Sequence, residues 1–371
     1  MSDEEYKSFK LKQKHFIDEF NNEHLRRLTQ SHLNIILLKQ SQFVGTKALC
    51  ISLKFLAQAF NYQVPREMIK PQIDTILHQI SLPLFVCTQK DKNSFHEDPI
   101  EYIRLQVDNS GEMNIKKQLS HLVDKICAIK PGKKKDRKPP EHLIKFMQTI
   151  GENLENVRGQ DKFTEALFYA FGSLDDKYQQ NMLPQLNSMV QAILENHVFS
   201  AINVDQFEDT VDKSLLAARA LWVYRKFARF DFNKEDHLLA ATERVFQHLQ
   251  HPNIVVRVEA AQTVSALLDH ECVVNLVRPG LGNVLKVFLQ IMDEVDFEEL
   301  VNSLKKLVEV FSDEVAPYAK SLCMKLSEAF IRLVNNKGDI DDEATDEGLT
   351  AEGLMKAIRR VLESVYYINE Q

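Results

Sequence analysis

Glycine and proline are scarce, at 11 each in 371 residues. A β-rich chain of this length needs more turn residues than that. The five cysteines (Cys50, Cys87, Cys127, Cys272 and Cys323) stand far apart and form no CxxC pair. Zinc-finger and thioredoxin-like chemistry are therefore not expected, and a reduced intracellular compartment fits. No uninterrupted apolar run reaches the roughly 18 residues of a membrane span. The opening MSDEEYKSFKLKQK is too polar for a signal peptide. No membrane insertion is expected. GxSxG, Walker A, GxGxxG and HExxH motifs are all missing, and the histidines form no nucleophile arrangement with cysteine or serine. The chain is read as a non-enzyme without cofactor or metal.

What is present is helical rhythm. His237 to His270 reads as two amphipathic helices joined by a tight turn. Leu238, Thr242, Val245, Phe246 and Leu249 share one face of a 3.6-residue period. Pro252 stops that helix, and Asn253 can cap the next. Val256, Ala260, Val264, Leu267 and Leu268 form the second stripe, and Ala260 with Ala261 permits close approach of another helix. This is the unit of a HEAT repeat, which needs similar pairs on each side to bury its apolar faces.

Helix pairs recur after residue 140. Ala166, Ala218, Ala260, Leu304 and Ile358 occupy comparable positions, spaced by 52, 42, 44 and 54 residues. The middle spacings match the roughly 40–47 of HEAT repeats. Asp296 with Glu299 suggests a capping box before the Leu300 helix, and Trp222 is expected to anchor the core. Earlier, EDPIEYIRLQVD should form a short helix, with Asp98 as cap, Pro99 at the first helical position, and Ile100, Ile103 and Leu105 buried. The expected fold is an all-α HEAT-repeat solenoid. Helical repeats fill 1–129, a basic Pro/Gly linker fills 130–140, and HEAT-like repeats fill 141–371 with an acidic loop at 335–348.

Charge is split along the chain. Residues 1–150 hold 24 Lys and Arg against 17 Asp and Glu, a net of +7. Residues 151–371 hold 22 against 36, a net of −14. The acidic part disfavours direct nucleic-acid binding and could attract basic partners. The linker KPGKKKDRKPP reads as a solvated loop, with a nuclear localisation signal or anionic-partner patch as the alternative. The acidic loop from Asp339 to Thr350 is no EF-hand, because Ala344 and Thr350 replace the required glycine and glutamate. Its Asp339, Asp341, Asp342, Glu343, Asp346 and Glu347 are candidates for contact with a basic partner. Arg257 follows a turn where HEAT repeats often pair an arginine with aspartate, but this turn offers only His251 and Asn253.

Asp98, Pro99, Glu101, Tyr102, Ile103 and Arg104 resemble the Asp-Pro-x-Glu-Tyr-Ile-Arg segment of the importin-beta (karyopherin) superfamily, closest to the branch holding importins seven and eight. ENHVFSAI, ARALWVYRKFARFDF with its Trp222, VVRVEAAQTVSALL, LVRPGLGNVLKVFLQIMDEVDFEELV and FSDEVAPYAKSLCMKLSEAF follow in the family's order. The resemblance runs from about Gly45 to Val365. It implies a nuclear transport receptor, or its central segment, acting by binding and moving between cytoplasm and nucleus. Implied partners are protein cargo, basic in view of the acidic half, and phenylalanine-glycine nucleoporins. Ran GTPase is also implied, although the amino-terminal repeats that carry the family's main Ran contact have no counterpart in this sequence. A HEAT scaffold outside transport is the alternative.

Overall fold

The computed structural model describes residues 3–107, 113–130, 139–204, 206–208, 210–232, 235–295, 297–336 and 346–369. The fold is all-α and HEAT-like, with no strand among the described residues. The longer helices are α1 (Asp3–Glu19), α2 (Arg26–Leu38), α3 (Thr46–Ala59), α4 (Gln89–Glu97), α5 (Pro99–Val107), α6 (Ile115–Cys127), α7 (Glu141–Asn156), α8 (Asp161–Gly172) and α9 (Pro184–Ile193). They continue with α10 (Val211–Lys226), α11 (Glu235–His248), α12 (Ile254–Leu267), α13 (Glu271–Val277), α14 (Leu281–Glu294), α15 (Glu298–Val310), α16 (Ala319–Asn336) and α17 (Asp346–Asn369).

The chain divides into two compact units. One joins residues 1–86 with 108–189; the other joins 87–107 with 190–371. In the first unit α2 packs on α3, α3 on α6, α6 on α7 and α7 on α8. Its core includes Leu49, Leu53, Leu56, Leu119, Leu122, Phe146 and Phe168, all sealed from solvent. Lys177 spans to Asp124 at 3.1 Å within this unit.

In the second unit the second helices of the pairs stack directly: α10 on α12, α12 on α15, α15 on α17. The first helices form the other layer, α11 against α13 and α14 against α16. Repeat spacing is visible in the hydrogen bonds. The Thr263 hydroxyl donates to the Leu221 carbonyl at 3.0 Å, and His270 Nε2 to the Ala228 carbonyl at 2.6 Å. Both bonds join residues 42 apart, the spacing between Ala218 and Ala260. Ala260 and Leu304 are fully buried at the expected register. In the last helix Ile358 is only partly buried and its neighbour Ala357 is fully buried, a slip of one position.

The helix α12 lies among α5, α10, α11 and α15, so it is buried almost all round rather than along one stripe. Its start follows the sequence: the Val255 amide donates to the Asn253 side chain at 2.9 Å, satisfying one of the orphan donors of the first turn. The capping box expected at Asp296 falls outside the described residues, and α15 begins at Glu298 after Phe297.

The helical stretch Glu271–Glu294 is long and apolar enough, by composition alone, to cross a membrane. It carries Arg278 and Pro279 at its middle, and Val273, Val277, Leu285 and Phe288 seat it in the core of the second unit.

Candidate partner-binding groove

The Asp98–Arg104 motif is a structural joint of the second unit. The Thr88 hydroxyl accepts from the Asp91 amide while the Asp91 carboxylate accepts from the Thr88 amide, a reciprocal box that starts α4. Asp98 ends α4 and caps α5, its Oδ1 accepting the Glu101 amide at 3.1 Å. Pro99 then takes the first helical position, where no amide is needed. Tyr102 and Ile103 are buried, with Tyr102 edge-on to Phe95 at 5.2 Å. Glu101 and Arg104 are exposed. The expectation for Leu105 is overturned: it is half-exposed, and Tyr102 fills the core position instead. The chain thus reaches α10 and α12 from more than 100 residues away. Lys92 on α4 adds an ion pair to Asp212 on α10.

Charged side chains tie each repeat of this unit to the next. Arg257 forms a two-pronged bond to Glu294, at 2.8 and 2.7 Å. Arg225 meets Glu259 at 3.0 Å, Lys306 meets Asp269 at 2.8 Å and Lys325 meets Asp293 at 3.0 Å. Arg278 pairs with Glu314. The turn beside Arg257 supplies no partner; the last residue of α14 does. Arg225 lies in the last turn of α10 and Arg257 in the first turn of α12, and the Nε of each is buried without a hydrogen-bond partner among the described residues.

Trp222 is only partly buried. Its neighbours Leu221, Val223 and Tyr224 are the sealed residues of α10. The indole lies under the cations of Arg219 (4.9 Å) and Lys226 (5.8 Å), so it rims the core instead of anchoring it.

His248 and His251 hold the turn between α11 and α12. His248 Nδ1 donates to the Arg244 carbonyl at 2.8 Å, whereas His251 Nδ1 accepts the Asn253 amide at 3.0 Å. Phe207 lies against both rings, at 5.1 and 4.6 Å. Burial pushes His248 below the ordinary histidine range, against the opposing pull of its bond to the Arg244 carbonyl. Both Nδ1 atoms are committed to the backbone, and the arrangement shapes the turn.

The second unit also carries an apolar groove. Phe246 and Leu249 of α11 form one wall; Leu276 and Val277 of α13 with Val284 and Val287 of α14 form the other. Its volume is about 260 Å³. That is below the roughly 300–1,000 Å³ of drug-sized ligand sites, and it suits a single apolar side chain. The amides of Gln250 and Asn283 line the same groove and are exposed, so they can bond an extended peptide backbone. Sequence reasoning missed this site. Phe246 reads as an ordinary member of a core stripe and no local pattern marks Val287, yet both remain partly exposed. Of the acidic candidates, Asp339, Asp341, Asp342 and Glu343 lie outside the described residues, as does most of the basic linker. Asp346 and Glu347 open α17.

No family model matches the sequence. The chain is 26% identical over 355 residues to an importin beta-like SAD2 homolog of Arabidopsis thaliana, covering 95% of this chain and 33% of that protein. It is 24% identical over 326 residues to importin-8 of Danio rerio, covering 87% of this chain and 30% of that protein. The structure of Lph2, described as a bidirectional nuclear transport receptor in S. cerevisiae, superposes with a TM-score of 0.61 at 12% identity, covering 94% of this chain and 36% of that one. The chain therefore spans about a third of the length of the curated relatives it matches. These similarities liken the chain to the central region of importin-beta superfamily proteins.

Proposed function

We propose that this chain serves nucleocytoplasmic transport as a binding surface: it engages pore phenylalanine-glycine segments and protein cargo, and it performs no chemistry. The single observation that carries the reading is the groove between α11 and α13–α14. It offers apolar walls for one phenyl ring and amides beside them for the flanking backbone. Phenylalanine-glycine peptides are the ligand class of that shape, since glycine leaves the neighbouring backbone free to approach. The net −14 of residues 151–371 favours basic cargo and makes its capture sensitive to salt. Residence in both cytoplasm and nucleus follows from this role. Ran binding is left to experiment.

The test is a pull-down of the purified chain with phenylalanine-glycine repeats, with and without Ran-GTP, at two salt concentrations. Retention on the repeats, with loss when their phenylalanines are replaced by serine, supports the reading. Release by Ran-GTP would add a Ran contact within this region. No retention under any condition sinks pore binding by this chain and leaves a HEAT scaffold.

A further inference from the structure

The helix α1, together with Phe20 at the start of the π-helical turn that continues it, presents an apolar seam to solvent. Phe9, Phe16 and Phe20 are 55%, 66% and 40% exposed. At about 100° per residue the three fall within roughly 40° of one another, and the Phe16 and Phe20 rings already stack at 6.2 Å. Among helix pairs with extensive packing, α1 enters only with its own continuation through the π-helical turn Phe20–Leu25.

We infer that α1 pairs antiparallel with α1 of a second copy of this chain. Residues 9, 13, 16 and 20 follow the alternating four-three-four spacing of a coiled-coil seam. An antiparallel partner then sets Phe9 against Phe20 of the second copy, and Phe16 against its Gln13. Each layer occurs twice by the two-fold symmetry of such a pair. Lys12 and Glu19 flank the seam on the same side. In this register Lys12 faces Glu19 of the second copy, again twice. A parallel pair would instead bring Lys12 towards Ile17 and Glu19 towards His24, leaving the charges unmatched. Gln13 faces Phe16 of the second copy in this register, so its amide lowers the stability of the seam.

Charge also selects a second copy over a lipid surface. Residues 3–27 hold six acidic and six basic side chains in alternating blocks. A segment with no net charge has little attraction to anionic lipid, whereas alternating blocks complement themselves when reversed. The seam is short, so the dimer is expected to dissociate on dilution.

The test is sedimentation equilibrium of the full chain over a wide concentration range, with circular dichroism to confirm that variants stay folded. A monomer–dimer equilibrium is expected. Phe16→Asp should abolish the dimer, and Lys12→Glu alone should weaken it at least several-fold. The double swap Lys12→Glu with Glu19→Lys should restore it, because only the antiparallel register exchanges those partners. A chain monomeric throughout overturns the inference, as does a dimer indifferent to Phe16→Asp or a swap that fails to restore association. A monomer that floats with anionic phosphatidylserine vesicles would assign the seam to membrane and equally overturn it.

Discussion

Arg257 and Glu294 meet through two parallel N–H···O bonds across 37 residues of sequence, at 2.8 and 2.7 Å. The guanidinium belongs to the second helix of one pair and the carboxylate to the first helix of the next. Such a bridge fixes the offset between repeats, because a fork of two bonds tolerates little rotation. Apolar contact between α12 and its neighbours supplies the energy of stacking. The charged pairs add register, which side chains as uniform as Ala260, Ala261 and Val264 cannot give.

Breaking this bridge should cost stability without unfolding the chain. Glu294 is half-exposed and Arg257 mostly covered. Glu294→Ala is therefore expected to destabilise by about 1 kcal/mol, at the low end for a charged hydrogen-bond pair because solvent screens the carboxylate. Arg257→Lys keeps the charge but loses the fork, and should lose most of the same amount. Urea midpoints of the two single variants and the Arg257→Ala/Glu294→Ala double variant would measure the coupling. Additive losses would show that the pair does not act as a unit.

The groove yields a separate expectation. Val287 is partly exposed on its wall, so Val287→Asp places a carboxylate where a phenyl ring would dock while leaving the core untouched. Binding of a phenylalanine-glycine peptide should weaken at least tenfold, about 1.4 kcal/mol, with an unchanged circular dichroism spectrum. Fluorescence anisotropy with a labelled peptide reads this directly. Equal affinity of variant and parent would remove the groove from pore binding.

Sequence periodicity located most of this fold because burial on a helix follows the 3.6-residue period. The 42-residue step from Ala218 to Ala260 reappears as bonds from Thr263 to Leu221 and from His270 to Ala228. The Asp98 cap was legible because it acts within three residues. What was hidden lies between elements. The partner of Arg257 sits on another helix, and no local pattern points to Glu294. Trp222 shares α10 with a sealed face yet lies at its edge, covered by Arg219 and Lys226. The groove is built from three helices whose apolar residues each suit a core position.

Acid should loosen the turn that Phe207, His248 and His251 build. Burial lowers the pKa of His248 in the folded state below its ordinary 6.5. The unfolded chain then binds more protons than the folded one in that window, so stability is complete above the unfolded value and falls as pH drops from about 6.5 through the lower folded value. His32, His121 and His142 are shifted the same way by burial and add to the slope. His248→Gln should reduce the loss of urea midpoint between neutral and about pH 5. An identical pH slope in parent and variant would show that His248 is not protonated differently on unfolding.

The Asp98–Arg104 motif should behave as a joint, with its energy in the cap and the ring and little in its exposed charges. Asp98→Ala removes the acceptor of the Glu101 amide and should cost about 1 kcal/mol, the usual loss for a helix cap, while Asp98→Asn should be nearly silent. Tyr102→Ala empties the space beside Phe95; with a ring this buried the loss should approach the roughly 3–5 kcal/mol of large aromatic truncations. Glu101→Ala and Arg104→Ala, on the exposed side of α5, should stay within about 0.5 kcal/mol of the parent. Thermal melts of the five variants rank these effects. If Arg104→Ala matched Tyr102→Ala in cost, the charged side of the motif would be part of the packing, and its assignment as a solvated face would be wrong. If Arg104→Ala left the melt unchanged but weakened cargo capture, the motif would combine a structural face with a recognition face on one helix.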